Sequence, residues 1–179
     1  MTMAPKTIKR VLAIDPFSRG VGFAAFEGPE CLIDWGLRST GRADNGRAVR
    51  AIERLIDRFQ PDVLAMENWE AVGSRRCDRV DLLLNHIASG KRKHVRVRLI
   101  SRREVSTIGT LPHSATKYGR ARLIADRFPE LRAFLPPVRK PWMSEDDRMS
   151  IFDATAFAIA CFPVAGDSTE TTADEPYPA

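Results

Sequence analysis

Val11-Leu12-Ala13-Ile14-Asp15-Pro16-Phe17-Ser18-Arg19-Gly20-Val21-Gly22-Phe23-Ala24-Ala25-Phe26 is the stretch that decides the fold. An apolar run ends in an acid, a turn marked by Pro16 and Gly20 follows at once, and a second apolar run begins. A carboxylate at the tip of a buried strand costs stability, because charge resists burial, but it is well placed to hold a metal ion. The pattern recurs in Val63-Leu64-Ala65-Met66-Glu67. A third acid, Asp153, opens the apolar stretch 154–162. Three acids from distant parts of the chain, each beside an apolar element, form the constellation around which the rest is read.

Outward from this stretch, residues 9–15, 20–27 and 31–37 read as three strands, with turns at Pro16, Gly20, Gly28 and Pro29. Links this short imply antiparallel hairpins. Residues 45–59 then place Ala48, Ile52, Leu55, Ile56 and Phe59 at helical spacing before Gln60-Pro61 ends the run. That helix carries the chain to a parallel strand over 63–67. A second helix is predicted over 78–89, from Val80, Leu83, Leu84 and Ile87, with Gly90 closing it, and a fifth strand over 95–100. Ser101-Arg102-Arg103-Glu104 is a capping-box pattern before a short helix. Residues 116–128 and 150–162 read as two further helices, separated by an extended linker with Pro136, Pro137 and Pro141. The sum is an α/β layered domain: a mixed five-stranded sheet, three antiparallel strands then two parallel, flanked by helices. The first and fourth strands are expected to be neighbours, so that Asp15 and Glu67 lie side by side and the last helix brings Asp153 to the same point.

The chain has 179 residues, enough for one compact domain, which is expected over 9–163. Residues 1–8 are expected to be flexible. Residues 164–179 hold Asp167, Glu170, Asp174 and Glu175 with no basic residue, and read as a disordered acidic tail. No apolar run approaches the roughly 20 residues of a membrane span, and residues 1–10 lack a secretory segment, so a cytoplasmic protein is expected. Three cysteines without a CxxC pair and three histidines without ligand spacing point to neither a disulfide framework nor a zinc site.

Charge narrows the class of partner. The 28 Lys and Arg exceed the 23 Asp and Glu by 5; with the four tail acids set aside, 28 face 19, an excess of 9. They cluster at Arg75, Arg76 and Arg79, at Lys91, Arg92, Lys93, Arg96 and Arg98, and at Arg102 and Arg103. A polyanion is the natural partner, and a solvated basic face is the bland alternative for any single cluster. In Val95-Arg96-Val97-Arg98-Leu99 the period of two turns the valines and Leu99 to one side and the arginines to the other, where phosphate is to be met.

The ordered set of motifs resembles the RuvC-type Holliday-junction resolvases of the ribonuclease H-like superfamily. Ala13-Ile14-Asp15-Pro16-x-Ser18 is similar to that family's Asp-Pro-Gly-Ser first-strand motif, with Phe17 where the family usually has Gly. Met66-Glu67 is similar to its second motif, and Asp153-Ala154-x-Ala156-x-Ala158 to its final Asp-Ala-x-Ala helix. The resemblance implies a ribonuclease H-like fold and a magnesium-dependent endonuclease that nicks branched DNA symmetrically as a homodimer, with a branch-migration helicase as a further partner. Manganese is expected to substitute for magnesium. The implied ligands are Asp15, shared by two ions, with Glu67 on one and Asp153 and Asp146 on the other. The family often has an acid or His three residues before the last Asp, where this chain has Ser150; Asp147 and Glu145 therefore remain alternatives to Asp146. Two outcomes are open there: a helix capped by Ser150, with the acids in the preceding loop, or a helix starting at Ser144.

Carboxylates suit this chemistry because magnesium is a hard cation that takes oxygen ligands, and clustered acids need cations to stay charged together. Two such ions activate water and stabilise the leaving oxygen of a phosphodiester. Lys117 and Arg120 are candidate phosphate contacts, Arg75 and Arg76 belong to the same nucleic-acid-binding set, and Trp69 is a candidate for base stacking or for core. The apolar face of 80–87 is a candidate dimer interface or simple core. Two other classes compete: a catalytically silent nucleic-acid-binding module, and an actin-like phosphotransferase domain, for which 179 residues are too few. A ribonuclease H-like nuclease acting on another polynucleotide stays open beside the junction reading.

Overall fold

In the computed structural model, residues 10–41, 44–71, 77–90, 94–107 and 116–162 are described. The flexible start expected at 1–8, the tail at 164–179, and Arg75, Arg76 and Lys91 to Lys93 lie outside these residues. The strands are β1 (Arg10–Phe17), β2 (Gly20–Glu27), β3 (Leu32–Ser39), β4 (Val63–Glu67) and β5 (Arg96–Ile100). The helices are α1 (Asn45–Phe59), α2 (Asp78–Ser89), α3 (Arg102–Thr107), α4 (Lys117–Arg127) and α5 (Met149–Ile159), with a 3-10 turn at Pro129–Phe134. None of them is long and apolar enough to cross a membrane.

The sheet order is β3-β2-β1-β4-β5. β1, β2 and β3 pair antiparallel, and β1, β4 and β5 parallel, as the hairpin and crossover spacing predicted. Alternation along each strand sorts side chains into two cores. Leu12, Ile14, Phe23, Leu64 and Met66 pack with the apolar stripes of α1 and α2 on one face. Val11, Ala13, Phe26, Val63 and Ala65 meet α4 and α5 on the other. At about 25 cal/mol per Å² of apolar surface, these two layers supply the main favourable term of folding.

Local signals were realised in most places. Ser101 Oγ accepts from Glu104 N at 3.1 Å and Glu104 Oε2 accepts from Ser101 N at 2.7 Å, which is a complete capping box for α3. Thr116 caps α4 by accepting from Gly119 N at 3.0 Å. Gln60 ends α1 in the left-handed region, φ 44°, and returns its N–H to Ile56 O at 2.8 Å.

Two expectations need correction, and a third point left open by the sequence, interface or core for 80–87, falls to core. Gly90 follows α2 but is extended, φ −64° and ψ 116°, so no left-handed glycine closes that helix. The last helix starts at Met149, with Arg148 in the cap position and no side-chain cap, so Ser150 does not cap it and it does not reach back to Ser144, although Glu145, Asp146 and Asp147 do lie in the preceding loop. Ser150 instead donates to Asp147 O at 2.7 Å and is buried. Val80, Leu83, Leu84 and Ile87 are core, packed with α1, because α2 has to bury one stripe to stay on the sheet; the apolar residue it leaves outward is Leu82, 66% exposed.

Candidate metal-binding and phosphate-cleaving site

The parallel register Val11↔Val63, Leu12↔Leu64, Ala13↔Ala65 sets the site. Asp15 and Glu67 each stand two residues further along, on the face that Ala13 and Ala65 turn toward α5. The β1–β4 ladder stops short of both acids, while β1 stays paired with β2 through Phe17, and β4 with β5 through Glu67. Both carboxylates are nonetheless deep, at 3% and 1% exposure. α5 lies over this face and is apolar all round; Asp153 is the one residue of 149–159 that is not buried. The three acids therefore gather at one end of one sheet face, and Asp153 lines both hollows there. One, of about 340 Å³, is shared with Asp15 and with Glu145, Asp146 and Asp147. The other, a cleft of about 20 Å³, is shared with Glu67.

They do not form a ready cage: among the described residues no group of three His, Cys, Asp or Glu stands close enough to hold a metal ion. Basic side chains lie against the acids instead. Arg102 Nε is 2.9 Å from Glu67 Oε1. Lys117 Nζ bridges Asp153 Oδ2 at 2.7 Å and Glu145 Oε1 at 2.6 Å. Burial opposes the Lys117 charge, but the field of Asp153, hydrogen bonds to Asp153 and Glu145, and the charge of Asp15 outweigh it and hold the ammonium above the ordinary lysine value. Asp147 Oδ2 takes Arg19 Nη2 at 2.7 Å. Asp146 is clamped by its neighbour, with Arg148 Nη2 at 2.7 Å and Nε at 3.0 Å, and that guanidinium holds its carboxyl below the usual aspartate value. The donor chemistry fits a hard divalent cation, since every acid concerned offers oxygen and two are nearly dry; binding one means displacing Lys117 and Arg102 from their partners.

Of the other residues singled out from the sequence, Lys117 and Arg120 come to the site, Arg120 beside Glu67 and Asp153 in the small cleft. Trp69 is half-buried against the α1–α2 core, on the opposite face from the acids. Two members of the basic clusters hold backbone: Arg98 Nη1 donates to Cys161 O at 3.3 Å beyond the end of α5, and Arg79 Nη2 donates to Phe17 O at 3.2 Å and Ser18 O at 3.0 Å. The sequence reading missed Arg19, Arg102 as the partner of Glu67, and five arginines along β3 and α1. The signal for Arg102 was its place, directly after the strand beside β4.

The architecture is the ribonuclease H-like one, in the form found in RuvC-type resolvases. The chain superposes on Thermus thermophilus RuvC with a TM-score of 0.59 at 18% identity, over 84% of this chain and 92% of that one. For T. thermophilus RuvC in complex with Holliday junction substrate the TM-score is 0.58 at 18% identity, over 84% and 90%. For the yeast mitochondrial Holliday junction resolvase Ydc2 it is 0.56 at 13% identity, over 88% and 81%. No protein-family model matches the sequence, and no curated protein does.

Proposed function

We propose that this chain is a divalent-metal-dependent endonuclease that cuts branched DNA, Holliday junctions above all, by paired nicks as a homodimer. The observation that carries the reading is the placement of Asp15 and Glu67 two residues beyond the last register pair of adjacent parallel strands, under the single unburied residue of α5, Asp153. An apolar helix and two buried strand tips do not hold three carboxylates together for stability, since each buried charge has to be compensated. The shared fold with structures solved as junction resolvases, one of them with Holliday junction substrate, supports the choice of substrate.

Asp15, Glu67 and Asp153 would hold Mg²⁺ or Mn²⁺, with a fourth carboxylate from the turn at 145–147. Asp146, expected from the sequence, would first have to release Arg148. The bound cations supply Lewis acidity toward a scissile phosphate and its attacking water. The chain's own groups do the rest: Lys117 and Arg120 neutralise phosphate oxygens, Arg102 changes partner from Glu67 to the incoming backbone, and the buried strand tips keep the carboxylates from turning. Near two-fold symmetry in a four-way junction matches a two-fold dimer.

One observation favours a second reading, a catalytically silent DNA-binding module: Lys117 and Arg102 already satisfy Asp153 and Glu67. Incubation with labelled four-way, forked and linear duplex DNA, with Mg²⁺, Mn²⁺ or chelator, separates the two. Metal-dependent nicking of the four-way DNA, lost in Asp15→Asn while binding persists, is the expected result. Tight binding without nicking in either metal selects the silent module, and full cleavage by Asp15→Asn removes Asp15 from the chemistry.

A further inference from the structure

A second hollow is larger than the acid cavity. It is a groove of about 490 Å³ between the end of β3 and the outer face of α1, and five of its lining side chains are arginines: Arg38, Arg47, Arg50, Arg54 and Arg58. The four on α1 fall at spacings of three, four and four, so they form one row on the helix surface, about 16 Å long at 1.5 Å per residue. Among the described residues no acid lines the groove. Arg47 is paired to Asp44 at 3.0 Å and Arg58 to Asp34 at 3.0 Å, both from outside the groove lining. Arg50 and Arg54, in the middle of the row, are exposed and form no salt bridge among the described residues. Arg38 lies over the Phe23 ring at 4.6 Å, which fixes its guanidinium at the β3 side.

A row of like charges at helical spacing is destabilising in isolation, and folding does not require it here, since α1 is already held by Ala48, Ile52, Leu55, Ile56 and Phe59. The groove also adjoins the acid cavity. Gly20 pairs with Ser39 in the sheet, and Thr40 N donates to Arg19 O at 2.9 Å, so the backbone of Arg19 touches the groove while its side chain bonds Asp147 in the cavity. The end of the groove lined by Ser39 and Thr40 is thus the end beside the β1–β2 turn, at the sheet edge between the α1 face and the acids on the α5 face.

We infer that this groove is a track for the sugar-phosphate backbone of a DNA arm, with Arg50 and Arg54 as its principal phosphate contacts. It deepens the nuclease reading and rests on it, because it names where one arm of the substrate lies relative to the cut. A phosphate chain fits better than a compact anion: the positive groups form a row of several, spread along a helix, rather than converging on one point. The contacts are to backbone and carry no base preference, so the track holds duplex of any sequence.

The test is binding of fluorescein-labelled four-way and linear duplex DNA by the full chain across a salt series, with Ca²⁺ in place of Mg²⁺. Arg50→Gln/Arg54→Gln is expected to weaken binding by about tenfold and to lower the slope of log affinity against log salt by about two. Arg50→Lys/Arg54→Lys should keep the slope. Arg122→Gln/Arg132→Gln, which removes two exposed arginines from α4 and the turn after it, serves as the control for bulk charge. Unchanged affinity and slope in the groove variant, in a wild-type protein that binds DNA, overturn the track while leaving the junction reading intact, and give the groove to an acidic protein surface instead. An equal loss in the Arg122/Arg132 control also overturns it, since the effect is then net charge alone. A wild-type chain that binds neither DNA overturns the nuclease reading and the track together.

Discussion

Ser150 lies directly against the α-carbon of Gly22. A Cβ placed on Gly22 would stand 2.3 Å from Ser150 Oγ and 2.6 Å from the Ser150 carbonyl carbon. Glycine is required there by close approach rather than by a special dihedral angle, and it lets α5 settle onto β2 opposite Asp15. Gly22→Ala is expected to cost about 3 kcal/mol in urea unfolding, the upper part of the overpacking range, because backbone rather than a flexible side-chain end has to move. Ser150→Ala should not rescue it, since the carbonyl carbon stays. A loss well under 1 kcal/mol would show that α5 shifts freely.

Glu67 at 1% exposure with Arg102 on its carboxylate is a buried charge held by a half-exposed one. Arg102→Ala is expected to destabilise the fold by about 2 kcal/mol, most of it the cost of leaving Glu67 short of positive charge. In a Glu67→Gln background the same substitution should cost much less. A double-mutant cycle measures the coupling, and additive losses would mean that Arg102 acts through packing and not through Glu67.

Lys117 Nζ bridges Asp153 and Glu145, two acids of the proposed cation site, so on that proposal it competes with the metal. Lys117→Met should therefore tighten Mn²⁺ binding, by about tenfold or ~1.4 kcal/mol, while lowering nicking at saturating metal through loss of a phosphate contact. Calorimetric titration with Mn²⁺ reads the first effect and single-turnover cleavage the second. Equal Mn²⁺ affinity in the two proteins would rule out the competition.

The thiols divide by burial. Cys31 and Cys77 are exposed, whereas burial pushes the Cys161 thiol up to about 11. At pH 8 a thiol reagent should label two cysteines quickly and the third only on unfolding. Three fast thiols would place the chain after α5 in contact with solvent.

Much of the sheet could be read from the chain because alternation and turn chemistry act locally: β2, α1, β4 and α2 begin and end at the residues where the apolar pattern does. The start of α5 could not, because its first turn is built from the backbone carbonyls of Asp146, Asp147 and Arg148, and Ser150, the residue that looked like a cap, is spent on Asp147 and Gly22. The neighbourhood of Asp15, Glu67 and Asp153 followed from strand order. The cations among them did not, since which acid a long Lys or Arg reaches is decided by tertiary placement: Arg102 and Lys117 sit 35 and 36 residues from the acids they hold, with α4 brought back over the sheet. The arginine row on α1 was not singled out, because at helical spacing it is indistinguishable from a solvated helix face and only β3 supplies its second wall.

Arg79 joins three remote pieces of chain. It donates to the carbonyls of Phe17 and Ser18, 62 and 61 residues away, and to Asn45 Oδ1 at 2.9 Å, and Asn45 Nδ2 returns a bond to the Arg79 carbonyl at 3.1 Å. The hairpin tip that walls the acid cavity is thus tied to the first turns of both helices behind it. Replacing Arg79 would therefore unfasten the hairpin tip, α1 and α2 from one another in a single step.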